Sequence, residues 1–157
     1  MRPIRFLTLA AGLALLAAPS LQADVPGYKV QSLVKLGDTI GDLKIRATGY
    51  FGVGSLNDSG QIAFVAQNAA GGDMLLQYSD GKIIPIAVGG RDAPGGKWSR
   101  SLSISSQVDM NQQGDIAFTA GNPLNTYRWD HQSGQVSIVA AKGMPAVSPP
   151  TTASMVS

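Results

Sequence analysis

The chain has 157 residues with no cysteine, no glutamate and nineteen glycines, and its twelve Lys and Arg against ten Asp give a formal net charge of +2. The missing cysteines exclude thiol catalysis and thiolate metal sites, so stability comes from core burial rather than cross-links. Two of the cations, Arg2 and Arg5, lie in the first 23 residues, and the rest of the chain balances ten cations against ten Asp, which removes the electrostatic case for nucleic acid or an anionic membrane surface.

Residues 1–23 read as a secretory signal peptide. Arg2 and Arg5 make a positive start, residues 6–18 are uncharged and apolar, and Leu21-Gln22-Ala23 offers a small-residue cleavage site before Asp24. The apolar run is shorter than the ~20 residues a bilayer span requires. No cysteine follows it, which excludes a lipoprotein anchor. An uncleaved anchor is the competing reading. The expected compartment is the bacterial periplasm or the outside of the cell, with no stable membrane insertion after cleavage at Ala23.

Few good helix formers and many glycines argue for an all-β chain beyond that point. Residues 28–36 (YKVQSLVKL) predict a strand with Val30, and Leu33 or Val34, turned inward. Residues 37–42 form a turn-rich connector, 43–45 a short strand or bend, and 47–56 a glycine-broken strand close to another backbone. Four strands are then expected as one unit, at 61–66, 74–78, 82–88 and 97–108. Asp80-Gly81 is the hairpin turn between the second and third. Pro85 cannot donate to a ladder, so its strand should carry a bulge or an unpaired side. A second unit follows, with strands at 115–120, 126–129 and 135–140 and a turn at 130–134. The Pro-, Ser- and Thr-rich segment 147–157 is expected to be disordered.

One octet ties the two units together. Residues 57–64 (NDSGQIAF) and 111–118 (NQQGDIAF) lie 54 residues apart and share five of eight positions. The match extends to Asp38 and Asp92, each 19 residues before the octet Asn. A period of this length marks a stacked repeat whose unit is about the size of a four-stranded propeller blade, roughly 40–50 residues. Asn and Gly supply tight-turn chemistry, and the Ile and Phe two residues apart share one face of an extended strand. The Ala between them leaves room for a close neighbouring sheet on the other face.

The octet, the aromatic residue before a glycine turn and the Gly-Asp loop resemble the bacterial exported proteins with tandem Asn-x-x-Gly-x-x-Ala-Phe repeats. The resemblance covers residues 33–146 and implies export and a propeller-like fold, with no catalytic activity to carry over. Two full units and a leading part fall short of the four to eight blades of a closed propeller. The chain also ends in SPPTTASMVS, without the apolar anchor of that family. An oligomer that completes a ring, a small open sandwich with protected edges, and a truncated gene product all remain open.

Candidate chemistry is sparse. His131 is the single histidine; beside Asp130, with no nucleophile in matching context, it reads as a solvated turn residue. No Gly-x-Ser-x-Gly occurs, so Ser55, Ser59 and Ser133 read as turn serines. Asp38, Asp92, Asn57 and Asn111 recur in phase and make a repeat-borne calcium site conceivable, but turn and cap duty suits them better without an Asp-x-Asp-x-Asp loop. Gly89-Gly90 and Gly95-Gly96 flank Arg91 and Asp92, with no Lys-Ser/Thr to complete a phosphate loop. Trp98, Tyr127 and Trp129 read as core or cross-strand aromatics, with a sugar-binding surface as the one ligand idea to carry forward.

The expectation is therefore an all-β protein of antiparallel propeller-like repeat units, two full blades plus a partial one, open or completed by oligomerisation. Its segments are a signal peptide (1–23), a β-repeat domain (24–146) and a tail (147–157). The expected role is non-enzymatic, a structural or interaction module whose partner is a second copy through sheet edges, an envelope protein or a glycan. No catalytic, cofactor-binding or metal residue is assigned. The alternatives are a secreted Asp-dependent hydrolase acting on carbohydrate and a fragment of a longer propeller.

Overall fold

The computed structural model describes residues 30–145. The expected signal peptide (1–23) and tail (147–157) lie outside the described residues. The chain is all-β, with twelve strands and no helix among the described residues. Two short strands, β1 (Thr39–Ile40) and β2 (Leu43–Lys44), pair as a hairpin. β3 (Phe51–Leu56), β4 (Ile62–Gln67), β5 (Asp73–Ser79) and β6 (Lys82–Val88) form an antiparallel meander in chain order. A second small hairpin, β7 (Asp92–Ala93) and β8 (Gly96–Lys97), leads into a second meander of β9 (Ile104–Met110), β10 (Ile116–Ala120), β11 (Asn125–Asp130) and β12 (Gln135–Ala140). Each four-stranded sheet is thus preceded by a small two-stranded hairpin.

The octets are the hairpin turns that set this phase. Gly60 N donates to the Asn57 carbonyl and Asn57 N to that of Gln61; Gly114 and Asn111 repeat the pattern with Asp115. Gly60 and Gly114 have φ of 76° and 90°, which a side chain would strain. A tight turn forces the segment before it to pair with the segment after it. Consequently the 47–56 strand is the first of the first sheet, and 104–110 opens the second sheet instead of closing the first. The expected strand at 97–108 is divided: Lys97 belongs to a small hairpin, and pairing resumes at Ile104. The described part of the expected 28–36 strand, residues 30–36, is not a strand. Asp38 Oδ2 accepts from Lys35 N (2.8 Å) and bends the chain there, so Val34 packs across a sheet instead of joining one. Val30, expected to face inward, is 97% exposed.

Asp80-Gly81 makes the predicted turn, with both residues at positive φ (52° and 77°). Pro85 lies in the edge strand β6 beside a register shift opposite Leu75 and Leu76, as a residue without an N–H requires.

The sheets pack face to face over one core. Ala63, Val65, Leu75 and Ala87 of the first meet Val108, Ile116, Phe118, Tyr127 and Trp129 of the second, with Trp98 and Leu102 inserted from the connection. The small side chains of the first sheet admit the large ones of the second, and each fully buried Ile or Phe is worth about 2–3 kcal/mol. The two sheets approach most closely along β3 and β9, where Met110 N donates to Ser55 Oγ (3.2 Å). Ser55 is therefore a strand residue joining two sheets, not a turn serine. The opposite face of the first sheet carries Ile62, Phe64, Met74 and Leu76, covered in part by Val34, Ile40, Leu43 and Ile45.

Candidate functional site

Three regions gather side chains with chemistry to offer. The first is a polar seam where the two octet turns meet. Asn57 Oδ1 accepts from Ser59 N (3.1 Å) and Gln61 N (3.0 Å), which fixes the amide orientation. Its Nδ2 then donates to Gln61 Oε1 (2.6 Å) and, across the repeat, to the Asn111 carbonyl (3.1 Å). Gln61 is thereby oriented in turn, and its Nε2 donates to Ser79 Oγ (3.0 Å) and faces His131 Nε2 at 3.2 Å. An amide N–H donor requires a lone pair on that ring nitrogen. The contact therefore fits the tautomer with the proton on Nδ1, a buried nitrogen that meets no partner, and the assignment follows from the network. Its ring stands edge-on to Trp129, 5.4 Å between centroids. The solvated turn residue expected from sequence is thus half-buried at the seam, because the 130–134 turn packs beside the start of β4 and the end of β5. Gln77, fully buried, completes the seam with a bond from Nε2 to the Gly114 carbonyl (3.0 Å).

The second region is the outward face of the second sheet. By octet register, Gln61, Gln77 and Ser79 of the first sheet correspond to Asp115, Arg128 and Asp130 of the second. Where the first sheet presents neutral groups to a neighbour, the second presents an ion-paired cluster. Arg128 Nη2 lies 2.7 Å from Asp115 Oδ2 and 3.4 Å from Asp130 Oδ2. Those carboxylate oxygens are thus no more than 6.1 Å apart, no wider than the roughly 5–9 Å at which glycosidase carboxylates work. Asp115, Arg128 and Asp109 line an adjoining groove of about 350 Å³. The electrostatics oppose acid catalysis, however. The Arg128 bond, helped by the His131 backbone N–H, holds the Asp115 carboxyl below its ordinary range. The backbone and hydroxyl of Ser133 do the same for Asp130. A general acid needs a raised value so that one carboxyl keeps its proton.

The third region is the far face of the first sheet. Leu33, Val34, Phe51, Ile62 and Phe64 line an apolar cavity of about 260 Å³ with Ser32 at its rim. Phe51 packs edge-on against Phe64 at 6.2 Å and is itself 37% exposed.

The remaining candidates are structural. Trp98, Tyr127 and Trp129 are 4–7% exposed, so they form core and leave no ring face for a sugar. Trp98 stands edge-on to Tyr127 (4.8 Å), and Tyr127 stacks on Phe118 (5.5 Å). Ser59 and Ser133 bond within their own turns. Asn111 Oδ1 accepts from Asp115 N (2.9 Å) in the exposed counterpart of the Asn57 turn. Asp38 caps its turn, and Asp92 is exposed in β7. Gly90 N donates to the Trp98 carbonyl (3.1 Å), closing the loop around β7 and β8. Among the described residues, no three His, Cys, Asp or Glu side chains converge as metal ligands do. Asp73 escaped the sequence reading. It is buried, accepts from Ile104 N (3.0 Å) and the Tyr50 hydroxyl (3.4 Å), and joins β5 to the start of the second sheet. Its position after Gly71-Gly72 was the one available signal.

No curated protein and no solved structure matches the chain. A family model does, over residues 24–126, which takes in the whole first four-stranded sheet and the second as far as the start of β11. The chain belongs to that family, a family of unknown function (DUF7453).

Proposed function

We propose that this protein is an exported, non-enzymatic interaction module built from two propeller-like repeat units. The observation that carries the reading is the employment of its reactive side chains. Asn57, Gln61, His131 and Asp73 are engaged in joining one sheet to the next, while among the described residues a small apolar depression beside Phe51 stays open. Sheets that lean together along their first strands support the propeller-like description, since blades radiate from their innermost strands. Export rests on Arg2, Arg5, the apolar run and the Ala23 site. Intact-mass analysis of protein secreted by an expressing bacterium tests it: a mass beginning at Asp24 supports export, and an unprocessed cytoplasmic chain overturns it.

A second reading has one observation in its favour, the closeness of Asp115 and Asp130 beside the 350 Å³ groove. In it the protein is a secreted glycoside hydrolase. The depressed carboxyls weigh against it. A panel of aryl glycosides decides: turnover that disappears in both Asp115→Asn and Asp130→Asn establishes the hydrolase, and no turnover supports the binding module.

A further inference from the structure

From a turn that recurs a third time we infer that residues 146–157 form a strap across the outward face of the second sheet, seated on the cross-strand row Thr119, Thr126 and Ala140. The inference goes beyond the interaction-module reading and does not depend on it.

Gly37, Gly90 and Gly143 lie 53 residues apart and share one left-handed backbone conformation, with φ of 87°, 84° and 86°. The residue after each donates its N–H to the carbonyl three residues back: Asp38 to Lys35 (3.2 Å), Arg91 to Val88 (3.1 Å) and Met144 to Ala141 (3.0 Å). The first two turns lead into the hairpins β1–β2 and β7–β8. Both hairpins are closed by the same bond, Ile45 N to the Asp38 carbonyl and Trp98 N to the Arg91 carbonyl, each 2.8 Å. The chain therefore leaves β12 through the same turn by which it leaves β6.

The segment after β6 shows what such a turn delivers. Trp98 and Leu102 bury themselves in one cluster with Val65, Leu75 and Ala87 of the first sheet, and Asp73 N in β5 donates to the Leu102 carbonyl (2.7 Å). Val65, Leu75 and Ala87 are partners across adjacent strands. Thr119, Thr126 and Ala140 are partners in the same way in the second sheet, and the register shift that follows Leu75 in one recurs after Thr126 in the other. This second row is uncharged, with both Thr half-buried and Ala140 exposed. Asp115, Arg128 and Asp130 stand in neighbouring rows, so a segment laid here leaves the ion pairs in water and avoids the cost of burying them. The chain beyond Pro145 supplies the occupant. At the 53-residue spacing Thr151 takes the place of Trp98 and Met155 that of Leu102. A smaller side chain at 151 suits a row where Thr replaces Val65 and Leu75, and the flexible Met adapts to a shallow seat. Pro149 and Pro150 have no N–H for a ladder, so the segment is a strap closed by one bond, Thr151 N to the Met144 carbonyl, rather than a paired hairpin. Its Ser and Thr residues give the polar outer surface that the last unit of a repeat stack requires.

The test is amide hydrogen exchange, read by ¹⁵N–¹H spectra, on the chain from Asp24 to Ser157, with far-UV circular dichroism as the fold control. The Thr151 amide is expected to exchange roughly tenfold or more slowly than in a free peptide of residues 146–157, the mark of a closed hydrogen bond. Thr126→Arg, in the seat, and Met155→Lys, outside every described strand, are each expected to restore the free-peptide rate with the circular dichroism unchanged. Gln132→Arg, in the exposed 130–134 turn, is expected to keep the protection. Exchange of the wild-type Thr151 amide at the free-peptide rate overturns the inference. So does protection that survives both Thr126→Arg and Met155→Lys, because the segment is then seated elsewhere.

Discussion

Asn57 and Asn111 occupy the same place in two copies of one turn and do different work. Both accept backbone N–H bonds with Oδ1, but Asn57 is buried and also donates across the repeat to the Asn111 carbonyl. Removing a buried group that satisfies several partners costs about 2–3 kcal/mol, whereas an exposed turn bond is worth about 1 kcal/mol. Urea denaturation of Asn57→Ala and Asn111→Ala is expected to show that ordering, and equal losses would mean the seam adds nothing. The tautomer of His131 is open to direct observation. Long-range ¹⁵N–¹H correlation spectra at neutral pH are expected to show Nδ1 protonated and Nε2 bare. A protonated Nε2 would contradict the chain of amides from Asn57 through Gln61. At the charged face the sign of the pH effect follows from Asp115. Its carboxyl is depressed from an ordinary value of 3.8 by Arg128, so the link contributes fully above that pH and is lost as pH falls through the lower, folded value. The stability difference between wild type and Arg128→Ala is therefore expected to be larger at pH 7 than at pH 2.

The sheets face an edge problem, and their edge strands meet it unequally. β6 carries Pro85 and a bulge, two devices that blunt an edge against a new strand. β12 (QVSIVA) has no proline and leaves Ile138 and Val139 exposed. Pro85→Val is expected to raise the aggregated fraction on prolonged incubation without lowering the melting temperature; an unchanged fraction would assign the protection to the bulge alone. The octet turn has its own sensitive point. Gly114 has φ of 90°, and a Cβ there would come 2.6 Å from Gln61 Oε1. Gly114→Ala is expected to cost about 2 kcal/mol or more from backbone strain, before any loss at the seam. At this scale much was readable in advance. Asp80-Gly81, Pro85 and the two octets announced their turns and bulge through local backbone chemistry. The pairing phase did not follow from those signals, because residues 97–108 have strand-like side chains whichever sheet they join.

Across the molecule the two sheets share one core, so they should not unfold separately. Trp98 and Trp129 both belong to it, while the strands of both sheets dominate far-UV circular dichroism. Fluorescence and circular dichroism are expected to trace a single coincident denaturation curve. An earlier fluorescence transition would show that the sheets part before they melt. The same packing explains the fate of the aromatic residues. A Trp or Tyr on a strand serves equally well as ligand platform or as core, and the small residues Ala63 and Ala87 opposite them settled the matter in favour of core.

The sequence by itself determined the all-β class, the recurrence of one octet 54 residues on, the turns that close the hairpins and the sharing of one strand face by Ile and Phe. These follow from short-range rules: permitted φ at Gly, the missing N–H of Pro and the two-residue alternation of a strand. Only the tertiary structure decided that Asn57, Gln61 and His131 form one seam, that Asp73 joins the two sheets, and that the outward face of the second sheet is ion-paired. Those facts depend on which segments, tens of residues apart, come to face each other. Side-chain spacing along the chain carries no record of that until the sheets are packed.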